Sequence, residues 1–513
     1  MYQSALLILT GSIRLVIESI GQYLNTANKK VTKRLYVKLE PEFSKPASKS
    51  DLNTLSCLSS AVPLVYNKAS SVCKHLDVRV LVASLQTPKR DKYTHINFDV
   101  IFTNSIEEDK LISNYVNDVF SNVSCSVIKL DNVTLSTTEN GCNIFQISDY
   151  NAYKTVCLGG TFDRLHNGHK VLLSEAVLRA REKLIVGVSD FKMIKKKVLW
   201  ELIEPIEKRM EEVSKFLFEI DPSLVYDVVP ISDPFGPTIT DPNIDCIVVT
   251  TETKAGGEKV NIERTKKEMS ALDIVIVDVL ENSERNSHEE EKISSSTNRM
   301  HLLGMPQKVI QVSSNFKRPY CILFRGNFMS GKSFIANRFQ FLGLPVLCCD
   351  EILKAIFNKD AELRRKVIER IFQNPSDTLD FEKLALQCLK NKEHKVWLCE
   401  LVLSKMKTSL QQVLKVYSDQ GSHVVLVKDS AILEGCDLEV NINEIWAAIV
   451  PINEALKKLN DVYDLTQDEA LEIVQCLPPN EEYVAAANIL FCNMWSTNAI
   501  QAQVNHSGTI YFC

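Results

Sequence analysis

Gly159-Gly160-Thr161-Phe162-Asp163-Arg164-Leu165-His166-Asn167-Gly168-His169 follows the apolar run Thr155-Val156-Cys157-Leu158 and leads into Val171, Leu172, Leu173, Ala176, Val177 and Ala180, which are apolar at helical spacing. Strand, glycine turn and helix in this order predict an α/β unit with a site at the turn. A helix start presents unpaired N–H groups and the positive end of a dipole. Glycines let backbone approach an anion, and imidazoles donate to phosphoryl oxygens. The turn therefore reads as one that handles a nucleotide. Helix capping would account for one histidine, with the glycines serving a tight turn. It does not account for the pair in H-x-G-H spacing, because Ser or Asp caps better than His.

Outward from the turn, strands expected at 155–158, 184–188, 225–231, 246–250 and 273–279 alternate with helices at 169–182, 205–219 and 258–270. Such alternation implies a parallel sheet with right-handed crossovers and ligands at the carboxyl ends of its strands. The polar run 281–292 reads as an exposed loop, and a short helix starts at Ile293-Ser294-Ser295-Ser296. Upstream, residues 1–148 carry strand-like runs at 35–39, 78–82 and 98–102 and a helix near 106–120, an α/β region without a chemical motif. The central domain is assigned to 149–305, a linker to 306–318, and a further α/β domain to 319–513, beginning with the strand Tyr320-Cys321-Ile322-Leu323-Phe324.

That last strand runs into Gly326-Asn327-Phe328-Met329-Ser330-Gly331-Lys332-Ser333, which satisfies G-x-x-x-x-G-K-[ST] ahead of a helix expected at Phe334 to Leu342. In such a P-loop the backbone amides freed by Gly326 and Gly331 cradle phosphates, Lys332 reaches the β- and γ-phosphates, and Ser333 ligates magnesium.

With 513 residues the chain is long enough for three or four units, and 45% hydrophobic residues support cores in them. A net charge of −5 offers no general attraction to nucleic acid, so the positive charge that matters is local, at Lys192, Lys195, Lys196 and Lys197. Fifteen cysteines are scattered singly apart from Cys348-Cys349, with no C-x-x-C pair, which argues against zinc. Their odd number, with no convincing secretory signal, fits a reducing intracellular compartment, where the sequons at Asn122 and Asn132 carry no meaning. The apolar N-terminus, Ala5 through Ile20, is interrupted by Arg14 and Glu18 and cannot supply an unbroken membrane span. It reads as a buried strand and helix, with a membrane-surface helix as the alternative.

Val186-Gly187-Val188-Ser189-Asp190, the lysines 192 to 197, Glu201-Leu202-Ile203, Pro205 and Arg209 follow the H-x-G-H run in a distinctive order. So do Asp233-Pro234-Phe235-Gly236-Pro237, Asp241-Pro242, Ile247 to Thr253, Asn261, Arg264 and Ile293 to Ser296. Over roughly 150–305 this order resembles the eukaryotic phosphopantetheine adenylyltransferases. With its flanks, the chain resembles the bifunctional coenzyme A synthases, in which that enzyme is fused to a dephospho-coenzyme A kinase. The resemblance implies a Rossmann-like nucleotidyltransferase domain and a P-loop kinase-like domain. It implies that ATP and 4′-phosphopantetheine give dephospho-CoA and pyrophosphate, and that a second ATP phosphorylates the 3′-hydroxyl of dephospho-CoA. It also implies a cytosolic location with a link to mitochondria.

Carried over residue by residue, the resemblance makes His169 the contact to the ATP phosphates and to the pentavalent centre, with His166 on the same phosphates. Gly159, Gly160 and Phe162 complete the ATP turn. Thr161 bonds the incoming 4′-phosphopantetheine phosphate, and Lys197 bridges the attacking and α-phosphates. Arg209 helps bind the pantetheine-side phosphate, its alternative being a solvated helix face. Ser294, Ser295, Ser296 and Arg299 hold the β- and γ-phosphates. Magnesium accompanies ATP mainly through water.

In the kinase-like part the likeness is uneven. Val346-Leu347-Cys348-Cys349-Asp350 keeps Asp350 as candidate base for the ribose hydroxyl but has Cys348 where the family has an acid. Val424 to Asp429, Ile432-Leu433-Glu434 and Glu444-Ile445-Trp446 continue the order. Three lid arginines are replaced by Lys458, Val462 and Ile473, and a glutamine by Leu477. Such arginines neutralise charge on the transferred phosphoryl group, and losing one costs about 10³-fold or more in rate. Lysine restores charge without bidentate geometry. An active kinase and a nucleotide-binding or structural module therefore both stay open. A scaffold without catalysis anywhere would have no need of His166, His169, Lys197 and the three serines together.

Overall fold

The computed structural model describes residues 1–40, 52–83, 93, 95–120, 125–131, 150–278, 280–281, 285, 289–308, 318–372, 379–428, 432–433 and 436–508. Asn122, Asn132, Asp429, Glu434 and residues 309–317 of the expected linker lie outside them.

Among the described residues three five-stranded sheets organise the chain, and every strand pair in them is parallel. The first contains β1 (Tyr2–Leu9), β2 (Val31–Leu39), β3 (Asp77–Leu81), β4 (Val100–Thr103) and β5 (Ser126–Lys129), in the order β3-β2-β1-β4-β5. The second contains β6 (Tyr153–Gly160), β7 (Ala180–Ser189), β8 (Val225–Ile231), β9 (Cys246–Thr250) and β10 (Asp273–Val277), in the order β10-β9-β6-β7-β8. The third contains β11 (Tyr320–Gly326), β12 (Val346–Cys348), β13 (His423–Val427), β14 (Glu444–Ile449) and β15 (Ile489–Cys492), in the order β12-β13-β11-β14-β15. In the first two sheets the chain builds outward from the first strand to one side and then crosses to the other, and in the third it goes to β12, returns to β13 beside β11 and then crosses to β14. The crevices fall beside the ends of β1, β6 and β11, where the glycine turns of the second and third sheets lie.

Parallel strands are covered on both faces, which is why their centres read as unbroken apolar runs. Ala5 to Leu9 are fully buried in β1, and the helix Ile13–Asn28 follows, so the apolar N-terminus is a core strand and helix. Among the described residues no helix is long and apolar enough to cross a membrane.

The chain divides into two compact units: residues 1–197, 203–285 and 289–297 in one, and 198–202 and 298–513 in the other. The first two sheets share a core, with Leu7, Val37, Val65 and Tyr66 in the same cluster as Val156, Leu158, Val171 and Val177. In the second unit Leu199, Leu202 and Leu303 are buried with Ala447, Ile449, Leu490 and Cys492.

Some boundaries differ from expectation. The helix expected at 258–270 is Lys254–Lys266, because the single turn Thr251–Thr253, with Thr250 and Thr253 bonded reciprocally, feeds straight into it despite Gly256-Gly257. The helix after the histidines stops at Arg179, since Ala180 already opens β7. Asp350 sits in the first turn of the helix Cys349–Lys359, just past the end of β12. Cys399 and Cys436 are joined by a disulfide, a pair that a separation of 37 residues does not announce.

Candidate functional site

At the end of β6 the chain turns through two residues in the left-handed region, Phe162 (φ 50°) and Arg164 (φ 48°), with Asp163 fully buried between them. Phe162 folds its ring back over the turn, and a Cβ at Gly160 would lie 2.9 Å from that ring, which explains the glycine. Gly159 continues the strand and pairs with Gly187 of β7. The helix Asn167–Arg179 then begins, with His166 as its N-cap: Nδ1 accepts a long bond of 3.4 Å from the His169 N–H. Gly168 leaves room for that imidazole, since a Cβ there would lie 3.1 Å from its Cε1 and Nδ1. The two imidazoles stack with centroids 3.8 Å apart, and the Phe162 ring lies 5.3 Å from His169.

Ser295 reaches this pair from the short helix Ser295–His301. Its Oγ donates to the Asp163 carbonyl at 3.0 Å and lies 3.4 Å from His166 Nε2. Ser294 is spent on capping, accepting from the Thr297 N–H and donating to its Oγ1, both at 3.2 Å. Ser296 is half-buried in the first turn. Arg299, on the same helix, belongs to the second compact unit, where it is buried and donates to the Val198 carbonyl at 3.0 Å.

Burial pushes the His169 imidazole down to about 4, opposed by Asp163 and reinforced by the Lys197 charge. Burial also holds His166 well below the ordinary histidine range, helped by His169 and Lys170. Both rings are therefore neutral at pH 7, each with one N–H to offer, and His169 Nδ1 is buried without a hydrogen-bond partner. Lys197 is exposed, as is Lys196, and Lys195 lies over the Phe191 ring at 4.4 Å.

Arg209 is not on a solvated face. It is 1% exposed, and its guanidinium donates to the carbonyls of Glu204 (2.8 Å), Thr161 (2.7 Å) and Ser189 (3.0 Å). It thus clamps the turn carrying half-buried Thr161 against the end of β7. Asp163, which the sequence reading did not single out, is a hub. Its Oδ1 accepts from Arg164 Nη1 (3.0 Å) and the Glu204 N–H (3.1 Å), and its charge acts on His169 and Arg209. The signal for it was an acid between a glycine turn and a helix, where a carboxylate can satisfy loop N–H groups.

The second candidate site lies at the end of β11. Gly326 (φ 156°) and Gly331 (φ 77°) both require glycine: a Cβ would meet the Ala448 carbonyl at 2.1 Å and Asn493 Nδ2 at 2.3 Å respectively. Lys332 opens the helix Lys332–Phe339 and is buried, its Nζ donating to the carbonyls of Gly326 (3.0 Å) and Asn327 (2.8 Å). A cleft of about 370 Å³ brings Lys332, Ser333, Asp350, Lys354 and Lys458 together with Phe328, Met329, Leu353, Phe381 and Tyr463. Lys458 Nζ reaches the Met329 and Asn493 carbonyls, each at 3.4 Å. Ile473 is 1% exposed in an apolar cluster with Leu389, Leu459 and Ala470 that packs against Phe328, Met329 and Leu477, whereas Val462 is 62% exposed. Among the described residues no group of three or more His, Cys, Asp or Glu could hold a metal.

Fold and first site define an α/β protein of the nucleotidyltransferase type, followed in the same chain by a P-loop kinase-type sheet. A cytidylyltransferase-like family model matches residues 157–301, and a dephospho-CoA kinase family model matches residues 320–498. A phosphopantetheine adenylyltransferase of Pyrococcus furiosus is 39% identical over 128 residues, which is 25% of this chain and 79% of that relative. The chain belongs to the phosphopantetheine adenylyltransferase family. A phosphopantetheine adenylyltransferase of Saccharomyces cerevisiae is 38% identical over 152 residues, 30% of this chain. An uncharacterized protein of Schizosaccharomyces pombe is 50% identical over 123 residues, 24% of this chain. The match spans only 50% and 39% of those two relatives.

Proposed function

We propose that the chain makes coenzyme A in two steps, beginning with adenylyl transfer from ATP to 4′-phosphopantetheine. A phosphate oxygen of 4′-phosphopantetheine attacks the α-phosphorus of ATP, the bond to the bridging oxygen of the β-phosphate breaks, and dephospho-CoA and pyrophosphate leave. All three groups are negative, so positioning and charge neutralisation are most of the catalysis. The stacked, neutral His166 and His169 at a helix start carry this reading. His169 offers an N–H to the pentavalent centre, His166 and Ser295 flank the departing phosphates, Thr161 receives the attacking phosphate, and Lys197 bridges it to the α-phosphate. Arg209 acts by fixing the Thr161 turn. Replacing His169 by Ala is expected to lower pyrophosphate formation by about 10²- to 10³-fold while the unfolding midpoint stays near that of the parent chain. Undiminished turnover overturns the mechanism.

The second step is phosphorylation of the dephospho-CoA 3′-hydroxyl by another ATP, in the cleft lined by the P-loop, with Asp350 as base. Magnesium brought by ATP would neutralise charge on its phosphates, and the Ser333 hydroxyl, which lines the same cleft as Asp350, is the oxygen donor that would hold it. A second reading, in which this domain binds nucleotide without transfer, is favoured by the burial of Ile473 where the family carries a lid arginine. Incubating the full chain with dephospho-CoA and ATP separates the two. Coenzyme A at ordinary kinase rates supports transfer, and nucleotide binding without product supports the module. We place the protein in the cytosol, with contact to mitochondrial membranes. The burial of Ala5 to Leu9 weighs against the N-terminal segment as the point of contact.

A further inference from the structure

We propose that the N-terminal lobe, residues 1–131, is the positioning element of the adenylyl-transfer site, holding the histidine helix in place through Asn167 and Lys170. The inference rests on the adenylyl-transfer reading. Counted from their own first strands, the first and second sheets share one strand order, 3-2-1-4-5. In the first sheet, however, the crevice between β1 and β4 is bridged by the chain itself: Asn104 Oδ1 accepts from the Thr10 N–H (2.8 Å) and its Nδ2 donates to the Thr10 carbonyl (3.0 Å). What the lobe presents instead is a grip on its neighbour.

The helix Leu52–Val72 packs against Asn167–Arg179. Asn167 Nδ2 donates to Ser70 Oγ (2.9 Å), and Ser59 Oγ donates to Glu175 Oε2 (2.6 Å). Lys170, the residue after His169, is 5% exposed, and its Nζ donates to Asp77 Oδ1 (2.6 Å) and the Val78 carbonyl (2.9 Å). Positions 167 and 170 share one helix face, and 166 and 169 the adjacent one. Asp77 is itself held by Arg34 Nε (2.9 Å) and Arg79 Nη2 (2.9 Å). Arg79 continues to Glu219 (2.8 Å), at the far end of the helix Ile206–Ile220 that carries Arg209. One charge network in the lobe thus anchors both helices that supply the site. The charged groups facing the histidines are Asp163 and Lys197 at His169 and Lys170 at His166.

The test uses the full chain with Lys170→Met, Lys170→Arg and Ser70→Ala, assayed for pyrophosphate release and for histidine titration by NMR. Lys170→Met is expected to lower kcat by about tenfold or more, with KM for ATP changed less than about threefold, because misplacing a catalytic group costs rate before binding. Lys170→Arg recovers most of the loss, and Ser70→Ala loses a smaller share. The His166 midpoint rises in Lys170→Met, where a nearby cation has gone. Folded Lys170→Met with kcat and His166 midpoint unchanged overturns the inference. If that variant does not fold, Ser70→Ala decides, unchanged kcat overturning the inference and reduced kcat supporting it. If the parent chain releases no pyrophosphate, the adenylyl-transfer reading fails, and the His166 midpoint alone then decides whether the lobe sets the histidine environment.

Discussion

Gly168 separates what helix formation wants from what the site wants. Alanine inside a helix is worth about 1 kcal/mol over glycine, yet a Cβ at this position falls 3.1 Å from the His166 ring. Gly168→Ala is therefore expected to leave the thermal midpoint unchanged or raised while kcat for adenylyl transfer falls by about tenfold, measured on the same preparation. A second expectation concerns charge. With the folded-state midpoint of His169 near 4, below the ordinary value, the unfolded chain binds the extra proton first as pH falls. Stability associated with this ring is thus complete above the ordinary histidine range and is lost as pH drops toward 4. Histidine NMR of the ligand-free chain should show the ring neutral at pH 6, and a midpoint near 6.5 contradicts its burial. The glycines and histidines of this turn were legible in the sequence because close approach admits few residue types. Lys170 and Asp77 were not: each is an ordinary surface residue by type, and they meet across 93 positions of chain. Arg209 was placed in the site by resemblance, but only packing shows its guanidinium spent on backbone carbonyls.

Strands were the most legible elements, since a strand buried on both faces must be apolar throughout, and β9, buried from Cys246 to Val249, lies where its apolar run does. Helix limits were less so, because Gly256-Gly257 reads as a breaker when the capping turn ahead of it is not visible. The kinase lid shows a subtler limit: the sequence records which arginines are missing but not what replaced their role. Ile473 is part of an apolar cluster that packs on Phe328 and Met329 of the P-loop, and Tyr463 stacks on Phe328 at 5.9 Å. Restoring arginine at 473 would bury a charge without a partner, so Ile473→Arg is expected to destabilise the chain by about 3 kcal/mol or more in urea unfolding. At the exposed position Val462→Arg should change stability by no more than about 0.5 kcal/mol. If loss of lid charge limits phosphoryl transfer, Val462→Arg is also the variant that raises coenzyme A formation from dephospho-CoA. Equal destabilisation by both substitutions would mean that the lid does not pack as the cluster implies.

The largest departure from a reading by sequence concerns where one folding unit stops. A linker at 306–318 suggests a kinase-like domain that begins with β11, yet the segment before it is already committed to the third sheet. Gly304 N–H donates to the Leu490 carbonyl (2.8 Å), Gln307 N–H donates to the Asn488 carbonyl (2.7 Å), and Pro306 bridges Ile489. Gly304 has φ 79°, and a Cβ there would lie 2.0 Å from the Gln503 carbonyl, so this crossing admits no side chain. Leu303 is 1% exposed in the same core as Leu490 and Cys492. Removing one buried leucine side chain from such a core costs about 2–5 kcal/mol. A fragment comprising 320–513 lacks Leu303 and both edge hydrogen bonds, whereas one comprising 298–513 retains them. The longer fragment is accordingly expected to be more stable by about 3 kcal/mol or more, read from paired urea unfolding curves with equal slopes. Coincident curves would show that residues 298–308 add nothing to the fold of this unit.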